Sequence, residues 1–175
     1  MALLTEPELG GLLTGFRTSA FRFETRDRYN SDVGREAFRR FLAGEPDDYA
    51  WHRSWVEMLR RDTEHGKLWQ RVRIVSVPLS DWSRYAVGVA RLSVSGGEDV
   101  RYLRRDTAES LGLTPYDSWI FDGSLLVHLH FNDGDDTFRG AELIDDPEIV
   151  ARHLQWRELA LQHAQPLEVF IATVP

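Results

Sequence analysis

The chain has 175 residues, 42% of them hydrophobic and 28% charged, with 13 Gly, 7 Pro and no Cys. That is the make-up of one globular domain; it excludes disordered, collagen-like and membrane-spanning classes and, through the missing cysteine, disulfides, thiolate metal sites and a Cys nucleophile. Lys and Arg total 21 against 28 Asp and Glu, and the resulting formal charge of −7 disfavours duplex DNA as a partner.

In chain order, Leu9, Leu12, Leu13 and Phe16 recur at helical spacing and predict a short opening helix, despite Gly10, Gly11 and Gly15. Residues 1–15 carry Glu6 and Glu8 and no basic leader, so they are expected to be mature sequence. No run reaches the roughly 18 apolar residues of a membrane helix, and a cytoplasmic location is expected by elimination. Residues 20–25 alternate as a strand with Phe21 and Phe23 on one face, and 26–34 read as loop. From Arg35 a helix carries Phe38, Phe41 and Leu42 to a Gly44-Glu45-Pro46 stop. Asp47 or Asp48 caps the next helix, in which Trp51, Trp55, Met58 and Leu59 form a stripe that demands burial, and Gly66 ends it.

Residues 68–77 give the clearest strand, with Leu68, Val72 and Ile74 facing one way and Trp69, Arg71, Arg73 and Val75 the other, until Pro78. Ser80 caps a helix from Asp81 to about Leu92. Val100, Tyr102 and Leu103 suggest a strand, Asp106 opens a short helix that stops at Gly112, and residues 118–121, 125–131 and 137–143 read as three more strands. Asp122-Gly123 is a type I′ hairpin signal, and Asn132 to Asp136 a second turn. Asp145 or Asp146 caps the last helix, with Pro147 in its first turn and Ile149, Val150, His153, Leu154 and Trp156 on its inner side. The expected architecture is a single α+β domain over residues 1–175, with a central, mainly antiparallel sheet flanked by N- and C-terminal helices.

Three clusters carry chemistry. His128 and His130 project from one face of a strand, and Glu142 on the next strand can reach them; His130 and Glu142 are the candidate acid/base pair, set against the plainer reading of polar side chains on a partly covered sheet. In residues 71–85, strand arginines emerge beside a helix N-terminus, a setting that suits an anion. Arg73, Asp81, Arg84 and Tyr85 are its candidate ligand contacts, and pairing of the arginines with carboxylates is the bland alternative. Trp119, on a strand with apolar residues on both faces, is a further candidate contact. The third cluster interleaves Arg17, Arg22, Arg26 and Arg28 with Phe16, Phe21, Phe23 and Tyr29; Glu24 and Asp27 break up its positive field, so the phenylalanines read as core and the arginines as surface. Trp51, Trp55, Trp82 and Trp156 read as core volume. The seven acids between Asn132 and Glu148 lack calcium-loop spacing and read as solvated turn, so no metal and no cofactor are expected.

The strings at residues 19–29, 38–46, 72–76, 97–103, 119–122 and 140–143, with the terminal helix from Asp146-Pro147 through Trp156-Arg157, resemble an actinobacterial family described as domain of unknown function 6879. The resemblance covers nearly the whole chain. It brings no reaction or catalytic residue with it; relatives encoded near helix-turn-helix regulators imply a regulatory accessory or a toxin-like effector. The expectation is therefore a non-catalytic regulatory or protein-interaction module. Its partner would be a helix-turn-helix regulator, another protein or a second copy in a homodimer, with no membrane contact. The alternative is a toxin-like or nucleotide- or RNA-processing enzyme, with His130 as acid/base and Arg73 and Arg84 as anion contacts converging with Glu142 on one cleft. A small anionic ligand or RNA would be its partner.

Overall fold

The structure, a computed structural model, describes residues 3–174; Met1, Ala2 and Pro175, the ends of the single-domain reading, lie outside the described residues. Seven strands form one sheet: β1 (Ser19–Glu24), β2 (Leu68–Val75), β3 (Asp99–Arg104), β4 (Ser118–Phe121), β5 (Leu125–Phe131), β6 (Phe138–Ile144) and the two-residue β7 (Gln165–Pro166). Seven helices accompany them: α1 (Glu6–Gly15), α2 (Arg35–Leu42), α3 (Arg53–Glu64), α4 (Asp81–Ser95), α5 (Arg105–Ser110), α6 (Pro147–His163) and α7 (Leu167–Ile171). A 3₁₀ turn at Ala50–His52 leads into α3.

The local signals act as the sequence requires. Ser80 accepts from the Ser83 backbone N–H at the start of α4, and Asp146 accepts from those of Glu148 and Ile149 at the start of α6, with Pro147 in its first turn. Asp122 and Gly123 both adopt positive φ, 51° and 65°, the backbone that a type I′ turn between β4 and β5 needs. α3 and α4 approach closely at Gly96, where a Cβ would stand 3.0 Å from the Val56 carbonyl oxygen.

The strand order is β6-β5-β4-β1-β2-β3-β7. Pairing is antiparallel except in the β1-β2-β3 segment, which is parallel. Parallel neighbours need a crossover, and the helices between them supply it: α2 and α3 between β1 and β2, α4 between β2 and β3. The sheet is thus mostly antiparallel, as the two hairpins dictate, with a βαβαβ segment inserted. Alternation along the strands divides the core. Phe21, Phe23, Val72, Ile74, Ile120 and Leu126 pack under α5 and α6. On the other face Trp69, Trp119, Phe121 and Val127 meet α1 and α3, while Val100 and Tyr102 meet α4 and α7. Among the described residues no helix is long and apolar enough to cross a membrane.

Candidate functional site

The alternation that buries Phe21 and Phe23 sends Arg22 and Glu24 to the opposite face of β1. The parallel register sets Arg22 beside Arg71 and Glu24 beside Arg73, and the antiparallel register sets Arg22 beside Trp119. Arg22, Glu24 and Arg73 are only 5%, 6% and 8% exposed, so each charge must be neutralised in place. Glu24 accepts from Arg71 and from Arg73 Nε, each at 2.5 Å. Arg71 Nε donates to Glu98 at 2.9 Å. Arg22 Nη2 donates to Asp117 at 2.7 Å, and the Tyr29 hydroxyl donates to the same oxygen at 2.7 Å. Burial pushes the Glu24 carboxyl up, but Arg71, Arg73 and Arg22 outweigh it and hold it at about 2. This sheet face is therefore an internally compensated ionic floor.

Above that floor lies a cleft of about 530 Å³. Trp51 and His52 from the 3₁₀ turn, Trp55 from α3, and Trp82, Tyr85 and Ser93 from α4 form its walls, with Val33 and Gly34 at one rim and Trp119 and Leu129 in the floor. Phe38 of α2 packs edge-on against Trp82, ring centroids 4.9 Å apart, and lies 5.4 Å from Tyr85. The Arg22 guanidinium sits over the Trp119 ring at 5.6 Å. His52 Nε2 and Ser93 Oγ share a hydrogen bond at 3.1 Å. Burial, then Arg71, push the His52 imidazole down to about 4, so it is neutral at pH 7. Among the described residues, seven buried side-chain polar atoms have no hydrogen-bond partner, and four belong to residues of this cleft: Trp55 Nε1, Trp82 Nε1, the Tyr85 hydroxyl and Glu98 Oε2. Such atoms are costly to bury unsatisfied, and four of the seven belong to residues around one cleft.

The sequence-derived candidates divide between this cleft and the rest of the surface. Arg73, Tyr85 and Trp119 line it. Asp81 and Arg84 pair with one another on the exposed first turn of α4 and do not line it. His130 Nε2 is 2.9 Å from Glu142 Oε2 across the β5-β6 ladder, and both side chains stand on the α6 face. The expected convergence of His130, Glu142, Arg73 and Arg84 on one cleft is therefore corrected: strand alternation puts the first two on one face of the sheet and Arg73 on the other. His128, expected beside His130, is buried against His153 of α6. No group of three or more His, Asp or Glu among the described residues is placed to hold a metal ion.

Trp51, Trp55 and Trp82, expected as core volume, are partly buried and line the cleft, because the helix faces that carry them span an opening rather than a filled layer. Arg22, expected at the surface, is buried in the floor. Glu24, Glu98 and His52 were not expected to contribute. A signal for Glu24 was present: alternation in residues 20–25 already places two charged side chains on the second face of a strand whose first face is all phenylalanine.

No curated protein gives a significant sequence match. The profile of the family described as domain of unknown function (DUF6879) matches residues 7–172, and with almost its entire length covered the chain belongs to that family.

Proposed function

We propose that this chain is a non-catalytic regulatory module whose aromatic cleft holds a ligand and whose α2 face reads out the occupancy to a partner protein. The observation that carries this reading is the gathering of four unpartnered buried polar atoms around one cleft of about 530 Å³, a volume within the range of small-molecule sites. α2 rests on the cleft wall through Phe38 and Phe41, and it leaves Leu42 and part of Phe41 exposed, with Val33 at the preceding rim. A molecule that moved Trp82 or Tyr85 would move what α2 rests on, which is the physical link between binding and display of an apolar patch. A helix-turn-helix regulator is the partner type that this role suits. The test is a thermal-shift screen of the full chain against small molecules, repeated on Trp51→Ala and Trp82→Ala. Ligands should raise the melting temperature of the parent chain and lose that effect in the variants; shifts that survive both substitutions, or no shift at all, overturn the reading.

A second reading rests on the Ser93–His52 contact, a hydroxyl and an imidazole within hydrogen-bond reach inside the cleft. It would make the bound molecule a substrate for acyl or phosphoryl transfer. A base held at about 4 is a weak one near neutrality, which ranks this reading second. Turnover of generic ester or phosphoester substrates that vanishes in Ser93→Ala would reverse the ranking.

A further inference from the structure

Resting on the reading of the cleft as a ligand site, we infer that the ligand group it takes is a nucleobase, a flat uncharged heterocycle with hydrogen-bonding groups on its edge. Three properties of the cleft select this chemistry together.

The first is shape. Trp51, Trp55, Trp82, Tyr85 and Trp119 give the cleft aromatic surfaces on several sides, and such surfaces bind flat rings by stacking whatever the ring's identity.

The second is charge. Each arginine of the floor already faces a buried carboxylate: Arg71 and Arg73 meet Glu24, Arg71 also meets Glu98, and Arg22 meets Asp117. A polyphosphate would have to displace one of these carboxylates and leave it buried without its cation, at a large desolvation penalty. A neutral group enters without disturbing them. His52, held neutral by burial and by Arg71, adds no charge to the wall.

The third is the pattern of unsatisfied atoms. The indole N–H groups of Trp55 and Trp82 are donors and seek acceptors, the Tyr85 hydroxyl serves either way, and Glu98 Oε2 is an acceptor that seeks an N–H. Glu98 is itself only 2% exposed, with its other oxygen fixed by Arg71. These four atoms are closed to water as the side chains stand, so a ligand reaches one only where its side chain turns toward the cleft; a flat ring with ring nitrogens or carbonyl oxygens beside an amino or imino N–H offers partners of both kinds. Adenine, guanine, cytosine and uracil all have that edge; a benzene ring lacks the edge and a sugar lacks the flat face.

The source of the base is a free nucleoside or an unpaired base of single-stranded RNA, and the two are separable. The experiment is isothermal titration calorimetry of the full chain at pH 7 with adenosine, guanosine, cytidine and uridine, with an RNA pentanucleotide, and with tryptophanamide and maltose as controls. At least one nucleoside should give a saturable isotherm. Trp82→Phe keeps an aromatic face but deletes the N–H together with part of the stacking surface, and Glu98→Gln replaces the acceptor; each should weaken binding about tenfold or more, with circular dichroism unchanged. Should Glu98→Gln disturb folding by releasing Arg71, Trp82→Phe decides alone. Pentanucleotide binding tighter than any nucleoside and falling with salt assigns the base to RNA; nucleoside binding without that gain assigns it to a free molecule. If nucleosides and RNA fail while tryptophanamide or maltose binds and Trp82→Phe abolishes it, the nucleobase assignment is overturned and the cleft stands as a ligand site. If nothing binds, both readings fall.

Discussion

The Nε2 atoms of His128 and His153 lie 3.1 Å apart, a single hydrogen bond that ties β5 to α6 through the core. His153 Nδ1 lies 2.9 Å from the Ile149 carbonyl oxygen and must donate to it, so in the neutral pair His153 Nε2 accepts and His128 Nε2 donates. Burial pushes both imidazoles down, His128 to about 4 with help from His153. Their folded values lie below the ordinary histidine value, so between about pH 6.5 and 4 the unfolded chain binds more protons than the folded one. Stability should be full above about pH 6.5 and fall as pH drops through that window, with His128 alone contributing on the order of 1–3 kcal/mol. His52, also held at about 4, adds to the same slope. Urea titrations at stepped pH measure this, and His153→Gln should flatten the slope; an equally steep dependence in that variant would show that other groups carry it.

Glu24 is the shared anion of Arg71 and Arg73 inside the sheet. Glu24→Gln leaves two buried guanidinium groups facing a neutral amide, so it should destabilise the chain by about 3–5 kcal/mol, the usual range for breaking a buried pair. Glu36 on exposed α2 also pairs with two arginines, Arg39 and Arg40, and Glu36→Gln should leave stability nearly unchanged because solvent screens it. Comparable losses in the two variants, measured by chemical denaturation, would contradict the buried-network account.

Asp122 has two tasks, and they can be separated. Its positive φ turns the β4-β5 hairpin, and its carboxylate accepts from the backbone N–H groups of Arg17, Thr18 and Ser19 where the chain enters β1. Those hydrogen bonds hold the carboxyl well below the usual Asp range, against the opposing push of desolvation. Asp122→Ala removes the acceptors and strains the turn, at an expected cost of about 1–3 kcal/mol. Asp122→Asn keeps one acceptor oxygen and tolerates the left-handed backbone, so it should lose less than half as much.

Much of this fold was legible because its signals are local. Ser80, the Asp146-Pro147 pair and Asp122-Gly123 act within a few residues of themselves, and strand alternation in residues 68–75 sorts Val72 and Ile74 from Arg71 and Arg73 without any knowledge of the partner strand. The parallel β1-β2-β3 pairing was not legible, because nothing local says which strands become neighbours. β7 and α7, which close the far edge beyond α6, are two and five residues long, too short to show a period. The cleft is not legible for a related reason. Helical spacing says that Trp51, Trp55 and Trp82 face inward; it does not say whether the space they face is filled. Glu24 gains its meaning only from the register that sets it beside Arg73.

The separation of the two candidate clusters is itself measurable. Arg73 is on β2 and His130 on β5, three strand spacings apart, or about 14 Å at the usual 4.8 Å per strand, and on opposite faces. Residues that distant with no shared partner should act independently, so Arg73→Met and His130→Ala should add to within about 0.5 kcal/mol in a double-mutant cycle. Glu24→Gln and Arg73→Met touch one ion pair and should show a coupling well above 1 kcal/mol, because either substitution alone strands a buried charge that the double substitution partly relieves. The first cycle measures whether His130 on the α6 face is energetically coupled to the arginine floor. Coupling between His130 and Arg73 equal to that between Glu24 and Arg73 would mean that the sheet transmits between its faces.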